Sequence, residues 1–139
     1  MIQGEKIKNV TISQRFNGPP SSGNGGYVSG LIGQNIDGAA EVSLRLPPPL
    51  ETILELSGNN GDVILHGGET IYGIGKPATL DLEVPAIPHD VKFDNHPADV
   101  EFTPFNTCFV CGDARTPGDG LCIHAKPIVG YEGCVGADW

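Results

Sequence analysis

The sequence predicts an α+β fold: one short helix followed by antiparallel strands. Three observations carry that expectation. Glycine and proline number 20 and 12 in 139 residues, roughly twice their usual share. An internal glycine costs a helix about 1 kcal/mol and an internal proline about 3, which excludes a bundle of long helices. A single stretch has helical apolar spacing, and the runs after it alternate with period two between turn signals. The apolar share of 39% is patterned rather than scattered, which argues against disorder. Aromatic residues make up 6%, so the core is expected to be mostly aliphatic. A chain of this length holds one domain and hardly two.

The first element is KIKNVTISQRF (6–16), β-rich, with Val10 and Ile12 on one alternating face. Pro19 and Pro20 end it, and the Ser and Gly residues of FNGPPSSGNGGY (16–27) form a tight loop. In GYVSGLIGQNI (26–36), Val28, Leu31, Ile32 and Ile36 fall on one helix face. Ser22 or Asn24 is the expected cap. Gly30 and Gly33 weaken this helix, which makes sense where a second backbone or a ligand packs very close.

Strands follow. Val42, Leu44 and Leu46 alternate until the prolines at 47–49, and Ile53, Leu54 and Leu56 begin the next run. SGNNGD (57–62) is a hairpin turn, because Asn-Gly tolerates positive φ. Gly67-Gly68 joins DVILH (62–66) to TIYGIG (70–75) in a second hairpin, and Leu80, Leu82 and Val84 alternate again. This organises the chain as a core over 1–84, a proline-rich connection over 85–106, and a cysteine-containing tail over 107–139. The connection holds one short extended piece at 100–102, and LCIHA (121–125) reads as a strand. The tail is too short to own a core, so it must pack on the first part or on a partner subunit.

The formal charge of −9 argues against non-specific nucleic-acid binding and against anionic lipid. No apolar run approaches the ~20 residues that span a bilayer. Lys6 and Lys8 precede no apolar stretch, so no signal peptide is read. A cytoplasmic protein is expected, with no membrane and no nucleic-acid partner. Without an export signal, the four cysteines point to reduced thiols, a metal site or catalysis rather than a disulfide scaffold. Cys108 and Cys111 have the spacing of a zinc knuckle. A second pair is missing, because Cys122 and Cys134 stand far apart with His124 near the first of them. A set of Cys108, Cys111, Cys122 and His124 is one alternative, and a redox dithiol is another. Small buried cysteines in a turn that anchors the linker are the third. His89 and His96 fall in the proline-rich connection and are expected to be exposed.

The segments GPPSSGNGGY (18–27), RLPPPL (45–50) and PFNTCFVCG with GDGL (104–112, 118–121) resemble, in the same order, those of a hotdog-fold thioesterase-like family. The likeness covers most of 16–123. It implies a central helix wrapped by a curved antiparallel sheet of about five strands. Members are usually longer, with a second hotdog-like half. A single half leaves a sheet edge and part of the helix uncovered, so a homodimer is expected.

The resemblance also implies an oxyanion site for an acyl thioester, such as an acyl-CoA, at the start of the helix. Gly23, Asn24, Gly25, Gly26 and Tyr27 are then the substrate-binding residues. The free N–H groups and positive end of a helix stabilise developing negative charge. The family's motif is often His-Gly-Gly where this chain has Asn-Gly-Gly. Many such thioesterases carry an acid two turns into the helix, where this chain has Gly33-Gln34. Gln34 orients a water but cannot take its proton, so Gly26 and Gln34 are the candidate catalytic residues. The reading is an acyl-thioester hydrolase without a cofactor or metal. The alternatives are a non-catalytic acyl-thioester or small-ligand binder, and a zinc-stabilised interaction protein. Arg15, Arg45, Lys76 or Arg115 would meet the phosphates of a coenzyme A. His66-Gly67-Gly68 spells the thioesterase triplet but lies between two strand patterns, so it is read as a hairpin.

Overall fold

A computed structural model describes residues 4–86, 105–110, 112, 114, 115 and 119. The elements in chain order are β1 (Glu5–Thr11), a 3-10 turn (Gln14–Phe16), α1 (Gly25–Gly33), β2 (Ala40–Leu44), β3 (Ile53–Asn59), β4 (Asp62–Gly67) and β5 (Thr70–Pro77). All five strands form one antiparallel sheet in the order β1-β3-β4-β5-β2. The chain crosses from one edge to the other through α1, and the two later hairpins fill the space between.

The hairpins form where the turn chemistry demands. Asn60 and Gly61 both have positive φ, 51° and 89°, the two-residue turn that Asn-Gly favours. That turn fixes the register, with Asn59 opposite Asp62 and Glu55 opposite His66. The β4–β5 turn follows Gly67, and Gly68 takes a φ of 58°. His66-Gly67-Gly68 is thus part of a hairpin.

Helix α1 begins at Asn24, whose extended backbone and side-chain oxygen cap the N–H of Tyr27 at 3.1 Å. Val28 and Ile32 enter the core with Ile12, Leu54, Leu56, Val63 and Leu65. Glycine permits the close approach of helix to sheet, but not on the helix. A Cβ at Gly73 or Gly75 would stand 2.7 or 2.6 Å from the methyls of Ile32. Gly30 faces open space among the described residues, and Gly33 has only an ordinary contact with Ala40 at 3.9 Å. The expectation of a close backbone at Gly30 and Gly33 is therefore corrected: the thin partner is β5.

Two further boundaries differ from expectation. β1 stops at Thr11, and the chain turns through 14–16, where Ser13 caps the short 3-10 turn. The alternating run at 80–84 forms no strand: Leu80, Leu82 and Val84 are 74, 67 and 84% exposed. Alternation supplies a pattern, but a strand also needs a ladder partner. The β2–β5 ladder closes with the Ala78 N–H on the Ala39 carbonyl at 2.9 Å, and the chain then leaves the sheet. The extended pieces expected at 100–102 and 121–125 lie outside the described residues, as do His89 and His96. No helix among the described residues is long and apolar enough to cross a membrane.

Candidate functional site

The loop from Asn17 to Asn24 is folded by its own hydrogen bonds. Gly18 N–H donates to the Ser22 carbonyl at 3.0 Å, Gly23 N–H to the Pro48 carbonyl at 2.9 Å, and Asn24 N–H to the Phe16 carbonyl at 2.8 Å. Gly23 is glycine for packing, since a Cβ there would lie 3.0 Å from Val28 and 3.1 Å from Ile12. The loop thus delivers Asn24 at the helix start with its cap already spent on Tyr27. The N–H groups of Gly25 and Gly26 are left without a partner among the described residues. These are two of the orphan donors of a helix N-terminus, at its positive end. Gly26 is exposed and Gly25 half-buried. Leu44 of β2 stands beside Gly25, with its Cδ1 3.2 Å from where a Cβ would be. Leu44 is 43% exposed, and Leu46, two residues on, 50%, so an accessible apolar side chain adjoins the Gly25 donor.

The expected site residues divide on this geometry. Gly25 and Gly26 keep donors to offer. The N–H of Gly23, Asn24 and Tyr27 are already spent, so these three shape the loop rather than offer donors from their backbone. Gln34 is not brought to the site. It caps the far end of α1 and donates to the Leu31 carbonyl at 3.3 Å, two turns beyond Gly26 and about 12 Å along the axis. The helix Gly25–Gly33 itself carries no acid or imidazole.

The described part of the tail packs on this loop. Arg115, with a side chain 9% exposed, donates to the Thr107 carbonyl at 2.8 Å, the Arg15 carbonyl at 2.5 Å and Asn17 Oδ1 at 2.6 Å. It also meets the Asp119 carbonyl and carboxylate, each at 3.2 Å. Phe109 N–H donates to the Asn17 carbonyl at 2.8 Å, and the Phe109 ring meets Phe16 edge-on at 5.0 Å. Phe16 in turn stacks on Tyr27 at 4.1 Å. Cys108 is buried, and Asn24 Nδ2 lies 3.7 Å from its sulfur. Sequence spacing gave no signal for these long-range contacts.

A second polar cluster lies on the sheet face opposite the helix. The Ser57 hydroxyl is 2.8 Å from His66 Nε2, and His66 Nδ1 is 3.1 Å from the Gly68 carbonyl. A carbonyl only accepts, so Nδ1 carries the proton, and the Ser57 hydroxyl, with one hydrogen to give, is shared between Nε2 and Glu55 Oε1. Glu55 Oε1 stands 3.1 Å from the Ser57 hydroxyl and 3.7 Å from Nε2, and Lys6 Nζ meets Glu55 Oε2 at 3.2 Å. The Lys6 hydrogen bond, helped by the Ser57 hydroxyl and opposed by desolvation, holds the Glu55 carboxyl below the usual range. By residue type this resembles a nucleophile and base. Yet Ser57 is 2% exposed, on a strand paired on both sides, whose backbone donors the ladders use. Such burial keeps an electrophile from the hydroxyl, and among the described residues the ladders leave it no free backbone N–H of β3 for an oxyanion. The cluster was recoverable from sequence: the Asn60-Gly61 turn sets Glu55 opposite His66, and period two puts Ser57 on the same face.

Among the described residues no group of three or more His, Cys, Asp or Glu is placed to hold a metal. Cys111, Cys122, Cys134 and His124 lie outside those residues. Of the cations expected to meet a coenzyme A, Arg15 and Arg115 are both engaged by Asp119, whereas Arg45 and Lys76 are exposed. No family model, curated protein or solved structure matches the chain.

Proposed function

We propose that the chain is an acyl-thioester hydrolase of the hotdog type, working in the cytoplasm as a homodimer. The observation that carries this reading is the pair of donors at Gly25 and Gly26, unspent among the described residues, with the exposed Leu44 beside Gly25. The order of elements supports it too: one strand, one helix, then four strands in a sheet that packs on that helix. In this reading the thioester carbonyl accepts from both N–H groups, and the acyl chain lies on the Leu44–Leu46 patch. Water adds to the carbonyl carbon, and the charge that develops on the oxygen falls at the positive end of α1. Collapse of the adduct breaks the C–S bond, and the sulfur leaves with the proton that the attacking water gives up to solvent, yielding a carboxylic acid and a thiol. The free sheet edges of β1 and β2 among the described residues are where a second copy would add.

A second reading has its own support. The helix Gly25–Gly33 carries no acid, and Gln34 sits at its other end, so the site polarises a carbonyl without an evident base. A non-catalytic acyl-thioester binder needs no more than that.

Gly25→Pro separates the readings. Asn24 already has φ −61° and ψ 131°, the conformation a residue before proline adopts, and proline suits the first helical position. The change removes one donor and keeps the helix. Over a panel of acyl-CoA chain lengths, hydrolysis is expected to fall about 100-fold, the usual worth of an oxyanion donor. Undiminished hydrolysis by the variant overturns the site. Analogue binding without turnover in the unaltered protein selects the binder, and neither binding nor turnover ends both readings.

A further inference from the structure

We infer that Arg115 is a positioning residue for the helix N-terminal site, and that the described part of segment 105–119 is a structural wall of that site. The functional meaning of this rests on the reading above; the positioning itself does not.

The argument runs outward from Gly25 and Gly26. Their direction is set by Asn24, which is held from two sides. Its N–H is fixed to the Phe16 carbonyl, and Phe16 is clamped between Tyr27 and Phe109. Its side chain is fixed between the Tyr27 N–H and the Cys108 sulfur. The loop leading to Asn24 is anchored at Asn17, which is 1% exposed. Asn17 Nδ2 donates to the Gly18 carbonyl at 3.0 Å, the Pro19 carbonyl at 3.4 Å and the Thr107 hydroxyl at 3.2 Å. That leaves Oδ1 to accept, and Arg115 is its donor.

Arg115 suits this task because its planar fork addresses several oxygens at once. One edge takes the Arg15 carbonyl and Asn17 Oδ1, and the remaining nitrogens take the Thr107 carbonyl and Asp119. A lysine ammonium is a single point on a flexible stem and cannot span these acceptors. Asp119 also pairs with Arg15 at 3.2 Å, so the carboxylate ties the two arginines together across the loop. Donor geometry at residues 25–26 therefore depends on contacts that reach 84 to 100 residues along the chain.

The test uses the full chain with Arg115→Lys and Arg115→Ala. Amide hydrogen exchange is followed by NMR without ligand, and a thioether (2-oxoalkyl) analogue of an acyl-CoA is then titrated in. In both variants the Tyr27 amide is expected to exchange about tenfold faster, the worth of one charge-assisted hydrogen bond. The Leu65 amide in the central sheet is expected to keep its unaltered rate, and analogue affinity to fall about tenfold. Unchanged Tyr27 exchange overturns the inference. So does an equal rise at Leu65, which marks general destabilisation. If Arg115→Ala does not fold, Thr107→Val removes only the hydroxyl on Asn17, and a selective rise at Tyr27 decides the matter. If the unaltered protein binds no analogue, the functional reading fails and the Tyr27 and Leu65 comparison still judges the positioning.

Discussion

Asn24 at the start of α1 and His66 in β4 are both buried polar residues, and each holds two hydrogen-bonding partners. Their surroundings differ. Around His66, the Ser57 hydroxyl, the Gly68 carbonyl, Glu55 and Lys6 partner one another, and the serine and histidine are buried out of a ligand's reach. Beside Asn24, two backbone donors remain unspent among the described residues at an accessible helix end, next to the exposed Leu44. A fold marks a candidate site by the polar capacity it leaves unused where a ligand can reach, rather than by how many polar residues it gathers. The Ser-His-Glu set has the residue types of a catalytic group and lacks that unused capacity.

Four substitutions break or sharpen this contrast. Asn17→Ala has the largest expected effect on stability. It removes the acceptor of the Arg115 guanidinium and the donors that hold the loop, at a cost of about 3 kcal/mol, to be read from urea midpoints. Ser57→Ala strikes the other region and removes the hydroxyl that His66 Nε2 and Glu55 Oε1 share, at a cost of about 1–2 kcal/mol. Acyl-thioester turnover should be unchanged in that variant; a large fall in turnover would transfer the site to the outer sheet face. Gly30→Ala goes the other way, because the position is helical with open space around it. A gain of about 0.5–1 kcal/mol is expected in thermal or chemical unfolding.

The smallest effect is a pH dependence. Glu55 is held below the ordinary carboxylate range in the folded chain, so it adds stability above its unfolded pKa. That contribution is lost as pH falls through the folded value. Lys6→Met removes the chief cause, so unfolding midpoints for this variant should fall less between pH 7 and pH 3 than those of the unaltered protein. Parallel curves would contradict it.

Local signals in the sequence located much of this. Asn-Gly at 60–61 placed a hairpin and with it the β3–β4 register. Asn24 stood among the candidate caps, and the helical spacing of Val28 and Ile32 identified the core face. The run at 80–84 misled, because alternation records a pattern without naming the strand beside it. Gly30 and Gly33 misled for a related reason: closeness is a property of two surfaces, and the glycines that allow it are Gly73 and Gly75 on β5. The clasp of Arg115 on Asn17 left no trace in spacing, since nothing local links residues so far apart. Of the five substrate-binding residues expected, the fold leaves free donors on only two, because the loop's own hydrogen bonds consume the rest.

The central claim is that the N–H groups of Gly25 and Gly26 receive a thioester carbonyl. The most direct measurement follows the amide resonances of the full chain while a non-hydrolysable acyl-CoA analogue is added. The account predicts large, saturable shifts at Gly25 and Gly26, smaller ones at Leu44 and Leu46, and none at Ser57 or His66. Saturation that moves other residues and leaves the two glycine amides in place would contradict it.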